Sequence, residues 1–156
     1  MKHTLLISFF LLFSSYSLAH NHAEKSMAEN IVIEAAWARE TFKMAKTGAA
    51  YITLSNPTEN DITLVSASAD ESVAGMVEMH NTVVVDNMMR MQELEDGLII
   101  KAGETITFQP GGMHFMIMGL TGPLLGNSSF ELELAFADDS VKSTTVNVRD
   151  MRTAVE

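Results

Sequence analysis

The chain has 156 residues, a formal net charge of −10 at pH 7 from 20 acidic against ten basic residues, and no cysteine. That length suits one domain around one hydrophobic core, and the acidic balance disfavours binding to a phosphate backbone. The lack of thiols excludes a disulfide scaffold, thiol redox chemistry, a zinc–thiolate site and blue-copper electron transfer with its Cys ligand.

The chain opens with the three-part layout of a secretory signal peptide: Lys2, the apolar stretch from Leu5 through Phe13, and the small-residue end Ser17-Leu18-Ala19. The apolar stretch is shorter than the about 20 residues that a membrane-spanning helix needs, and no later segment supplies one. Cleavage after Ala19 leaves 137 residues of net charge −11, beginning at His20. The mature protein is therefore expected to be exported, soluble and free of a membrane span. Residues 20–30 read as a flexible polar leader, 31–149 as one folded domain and 150–156 as a charged tail that frays.

The domain reads as short β-rich runs separated by turn residues, with little helical periodicity. The runs are Ile31–Ala38, Ala49–Ser55, Ile62–Ala67, Val77–Val85, Met88–Leu94, Leu98–Ile100, Thr105–Gln109, His114–Gly119, Phe130–Phe136 and Thr144–Val148. Ten short runs in one small domain predict an all-β sandwich or barrel. Turn chemistry stands between them at Asn56-Pro57-Thr58-Glu59-Asn60, Asp86-Asn87, Glu95-Asp96-Gly97, Ala102-Gly103-Glu104 and Pro110-Gly111-Gly112. Asp86-Asn87 suits a two-residue hairpin, which would bring the His80 strand back beside the Met91 strand.

Twelve methionines are present, and eight of them (Met76, Met79, Met88, Met89, Met91, Met113, Met116, Met118) lie between positions 76 and 118. Methionine is a common gap-filler of cores, and Met79 and Met118 are expected to serve that way. The company of His80 and His114 in the same stretch gives the others a second meaning. Side chains alternate along a strand, so His114, Met116 and Met118 share one face while Phe115 and Ile117 take the other. Imidazole and soft thioether donors together suit copper(I), whereas calcium or magnesium want oxygen. Such ligands also persist in an oxidising compartment where a thiolate tends to be lost to disulfide.

The spacing of these residues resembles the periplasmic copper chaperones called PCu(A)C. His80 is followed eleven positions later by Met91, and His114-Phe115-Met116 follows after 22 intervening residues, one more than is usual in that family. Glu95–Gly97 is a turn that can absorb the extra residue. Met89 shares a strand face with Met91 and is the alternative to it; Met88 does not. Ala36-Trp37-Ala38-Arg39, Lys46-Thr47-Gly48-Ala49-Ala50-Tyr51 and Pro110-Gly111-Gly112 extend the resemblance over most of the mature chain. It implies a cupredoxin-like Greek-key fold without the cupredoxin's own copper site. It also implies copper(I) held on an exposed rim by His80, Met91, His114 and Met116, and delivery to the copper centres of a respiratory oxidase such as cytochrome c oxidase, the partner being a copper-accepting oxidase subunit or another copper chaperone. Neutral imidazoles and thioethers would add no negative charge, and acid would weaken binding by protonating the imidazoles.

If cleavage falls after Ala19, the new terminus is His20-Asn21-His22. An α-amine, two backbone amides and the His22 imidazole make a square-planar nitrogen set suited to copper(II), with His20 as a competing chelate; cleavage after Ala23 would remove both. The sequence admits two other readings. One is an exported Ig-like binding or adhesion module whose methionines are core and which takes no metal. The other is a copper enzyme built on His20, for which further histidines are lacking. No His sits in a nucleophile motif, so no enzyme is read here.

Overall fold

A computed structural model describes residues 25–150 of the chain. The signal peptide with its cleavage after Ala19, the His20/His22 chelate and most of the tail expected over 150–156 fall outside the described residues. Among the described residues no helix is long and apolar enough to cross a membrane.

The stretch expected to be a flexible leader through residue 30 is folded from Ser26 onward. A single helical turn, α1 (Met27–Asn30), is closed by a capping box in which Ser26 Oγ accepts from the Glu29 N–H and Glu29 accepts from the Ser26 N–H. That Ser-x-x-Glu signature satisfies two otherwise orphaned donors and was legible in the sequence. The turn is also tied to the distant 137–140 loop: the Met27 N–H donates to Asp138 Oδ2 at 2.8 Å and the Ala28 N–H to Ser140 Oγ at 3.0 Å. The Ser140 hydroxyl, and after it the Met27 N–H, hold the Asp138 carboxyl below its usual value. A carboxylate favoured in the folded state contributes stability above the ordinary carboxylate range, near about pH 4, and loses it as pH falls through the lowered folded value. Asp138→Asn should therefore speed amide exchange at Met27 and Ala28 at neutral pH, while leaving the global unfolding midpoint nearly unmoved. The native protein should show the same local loosening only in acid.

Ten strands follow: β1 (Val32–Arg39), β2 (Thr47–Ser55), β3 (Ile62–Ala69), β4 (Met76–Val85), β5 (Met88–Glu93), β6 (Leu98–Ile100), β7 (Thr105–Thr107), β8 (His114–Met118), β9 (Ser129–Phe136) and β10 (Val141–Arg149). The all-β expectation holds, strand by strand. The last strand begins three residues earlier than its apolar pattern suggests, because its register is carried by pairing with β9 from Val141↔Ala135 onward rather than by burial. Val141 is indeed exposed.

The strands form one sheet in the order β5-β4-β8-β2-β1-β10-β9-β3-β6, with β7 on β2. A further pairing of β3 with β4 at Ala67↔Val77 closes seven of them into a barrel. Closure leaves most strands with an inward apolar row. β8 reads half-buried, buried, half-buried, buried, half-buried from His114 to Met118, and β9 alternates in the same way. Phe115 and Ile117 point inward with Leu64, Leu132, Leu134 and Val146, all at zero exposure. Asn56 is the one buried polar side chain among the described residues, and it is satisfied: its amide donates to the carbonyls of Asn60, Ile100 and Lys101 and its oxygen accepts from Thr58.

The β4–β5 hairpin extends past the barrel. Asp86 and Asn87 take φ of 53° and 60°, the left-handed pair that a type I′ turn requires. Every residue of β5 is exposed. The chain returns through Gly97, at φ 78°, where an added Cβ would lie 2.6 Å from the Leu64 carbonyl oxygen. Only glycine fits that turn.

Candidate metal centre

β4 is the strand around which the site is built. Its first half pairs with β8, so that His80 lies opposite His114, Glu78 opposite Met116 and Met76 opposite Met118. Its second half pairs on the other edge with β5, so that His80 also lies opposite Glu93, Thr82 opposite Met91 and Val84 opposite Met89. Directly opposed residues share a face, and diagonal neighbours about 7–8 Å apart stay within reach of long side chains. Since Val77 and Met79 fill the interior, Glu78, His80 and Thr82 face outward. His114, Met116, Met91 and Glu93 face outward with them.

All four residues of the spaced His/Met pattern thus stand on one outer face of three adjacent strands. Met91 is diagonal to His80 across the hairpin, while Met89 is two residues further away, roughly 7 Å more at strand rise. His80 and His114 have ring centroids 5.9 Å apart. The methionines are not a core cluster: of the eight between 76 and 118, Met79 is the one that is buried. Met91 is 63% exposed and Met89 70%. Met118, expected in the core beside Met79, is half-buried on the outward side opposite Met76. Trp37, on β1 with β2 between it and β8, packs on Tyr51 at 4.5 Å beneath the guanidinium of Arg149 from β10.

Hydrogen bonds fix what each imidazole can offer. His80 Nε2 lies 2.8 Å from Glu78 Oε2. A carboxylate only accepts, so Nε2 carries the proton and the lone pair sits on Nδ1, which is buried and has no partner. His114 Nδ1 is 3.1 Å from the Gly112 carbonyl, which likewise makes Nδ1 the donor and leaves the lone pair on Nε2. Two imidazoles on neighbouring strands therefore each keep an unspent lone pair. Ligating histidines commonly donate their other N–H to a carboxylate or carbonyl in this way.

Two acidic residues went unread in the sequence. Glu78, His80 and Glu93 have potential ligand atoms that all lie within 4.8 Å of one another. The face therefore carries negative charge that the His/Met pattern alone does not. Both were legible in principle: Glu78 is two residues from His80 on the same face, and counting back from the Asp86-Asn87 turn pairs position 80 with 93.

The family model described as "Putative lipoprotein LpqE-like" matches residues 31–148. A protein of Leifsonia xyli subsp. xyli described as a "Putative lipoprotein" is 36% identical over 94 residues, which cover 60% of this chain and 57% of that relative. The match thus spans little more than half of that relative's length. The solution structure of copper(I)-loaded DR1885 from Deinococcus radiodurans is 27% identical with a TM-score of 0.59, covering 83% of this chain and 86% of that one. The copper-bound PCuAC domain from PmoF2 has a TM-score of 0.61 at 17% identity, covering 77% of this chain and 92% of the domain. At that identity the likeness is one of fold, the cupredoxin-like β fold expected above.

Proposed function

This chain belongs to the LpqE-like family, and from that premise we propose that it is an exported copper(I) metallochaperone that carries its ion on His80, Met91, His114 and Met116 and passes it to a respiratory oxidase copper centre. The observation that carries the reading is the gathering of two imidazoles with unspent lone pairs and two outward thioethers on one face of β5, β4 and β8. The likeness to copper-bound relatives supports it.

The donor set fits copper(I). Thioether and imidazole are soft to borderline, and four neutral donors leave the ion its single positive charge. The site is built for carriage rather than catalysis. His80 and His114 rise from strands that are part of the closed barrel, whereas Met91 stands on the exposed arm beyond it. A partner can approach the Met91 side and substitute its ligands one at a time while the imidazoles still hold the ion. Periplasmic residence and removal of residues 1–19 belong to the same proposal, as does a separate copper(II) chelate at His20 and His22. The alternative of a metal-free binding module with a methionine core is disfavoured by the exposure of Met88, Met89 and Met91.

The test is an anaerobic copper(I) competition titration against a coloured chelator. One equivalent is expected. Met91→Ala should weaken it by about 10-fold or more, the scale on which even outer-shell partners of metal sites act, while Met89→Ala should change it little. Equal weak binding in all three proteins would overturn the copper(I) site; the reverse ranking would move the ligand to Met89.

A further inference from the structure

We infer that Glu78, His80 and Glu93 form a second, harder metal position on the same face, one that takes a divalent ion of the zinc(II) or copper(II) type and competes with copper(I) for His80. Three donors from two register-locked strands converge there. His80 and Glu93 are a directly opposed β4–β5 pair, Glu78 shares the His80 face, and their ligand atoms lie within 4.8 Å of one another. Glu78 Oε2 is already 2.8 Å from His80 Nε2. Metal–ligand bonds of about 2.0–2.2 Å set donor atoms about 3–3.4 Å apart around a zinc ion. An ion replacing the shared proton would thus separate Glu78 and His80 by about half an ångström, and the exposed Glu93 would close in from the other strand.

Charge and ligand type distinguish this set from the His/Met set. Two carboxylates and a neutral imidazole neutralise a divalent ion, whereas two thioethers and two imidazoles leave a monovalent ion its charge. Oxygen and nitrogen donors suit zinc(II) and copper(II), and thioethers suit copper(I). Three protein ligands leave a fourth position for water, the arrangement of open zinc sites. The imidazole adapts without gaining or losing a proton. When Nε2 takes the divalent ion, the ring proton moves to Nδ1, which no other group occupies. A neutral imidazole has one lone pair, so His80 serves one ion at a time. The position itself stands apart from the copper(I) reading, but the competition rests on it.

Zinc(II) is the probe, since it sidesteps a copper(II) chelate at the terminus, and titration of the isotopically labelled mature protein followed by amide NMR locates the ion. Saturating shifts at His80 and Glu93 are expected. Glu93→Gln and Glu78→Gln should each weaken zinc binding by about 10-fold or more. Glu93 is exposed, so its substitution spares the fold. Shifts confined to residues away from β4 and β5, or unaltered affinity in both Gln variants, would overturn the site. Parallel copper(I) titrations keep the two ideas separable: zinc binding without copper(I) binding sinks only the chaperone reading, and copper(I) binding without zinc sinks only this one. Zinc binding undiminished by prior copper(I) loading would overturn the competition.

Discussion

His114→Ala and Met116→Ala should each abolish tight copper(I) binding, with losses of at least about 100-fold, while leaving the protein folded. Replacing an outer-shell partner of a metal site costs about 10–100-fold, and these substitutions remove proposed ligands outright. Both side chains point out of the barrel and are half-buried, so the core row of β8 is untouched. His114→Ala also vacates the Gly112 carbonyl, which lies near solvent. The measurement is the chelator titration together with thermal unfolding of the metal-free proteins. Affinity should fall with nearly unchanged midpoints. A matching loss of stability would mean that the residues act structurally, and retained affinity would remove them from the site.

The second large effect is expected in the interior of the same strand. Phe115 lies between these two residues in sequence, on the opposite face, with zero exposure. Its ring stacks on Phe108 at 4.5 Å and 5°. Phe115→Ala should cost about 3–5 kcal/mol through lost burial and the cavity left behind, a large share of the about 5–15 kcal/mol that holds a typical domain together. In urea the midpoint should drop steeply with the slope preserved, since the surface exposed on unfolding barely changes. Phe115→Leu should recover much of the loss. Because β8 joins β4 to β2 in the closed barrel, loosening it should also blur the registration of His114 with His80 and weaken copper(I) binding. A variant with native stability would show that β8 is held by its backbone ladder alone.

These two effects separate cleanly because alternation along a strand is local and rigid. The same property made much of the fold legible. Short β-rich runs between turn residues placed all ten strands, with errors at ends where pairing overrides burial, as at Val141. Asp86-Asn87 identified the hairpin, and its two-residue length fixes every pair from Val85↔Met88 to His80↔Glu93. The helical turn at Met27–Asn30 was missed although Ser26 and Glu29 announce it, because a four-residue helix has no periodicity to detect.

By itself, the sequence determined the donor chemistry: no thiols, clustered methionines with two histidines, and a strand pattern that turns His114 and Met116 away from Phe115 and Ile117. It also determined that Met91 returns beside His80, since a tight turn is local. Only the tertiary structure decided that β8 lies against β4. His80 and His114 are 34 positions apart, with β5, β6 and β7 between them, and their opposition follows from the closure of the barrel. Strand partners distant in sequence are chosen by which whole-chain arrangement buries the inward rows and pairs the backbone, and local propensity carries no record of that choice. The same closure left the β4–β5 arm exposed beyond the barrel and the His80 Nδ1 lone pair buried and unspent.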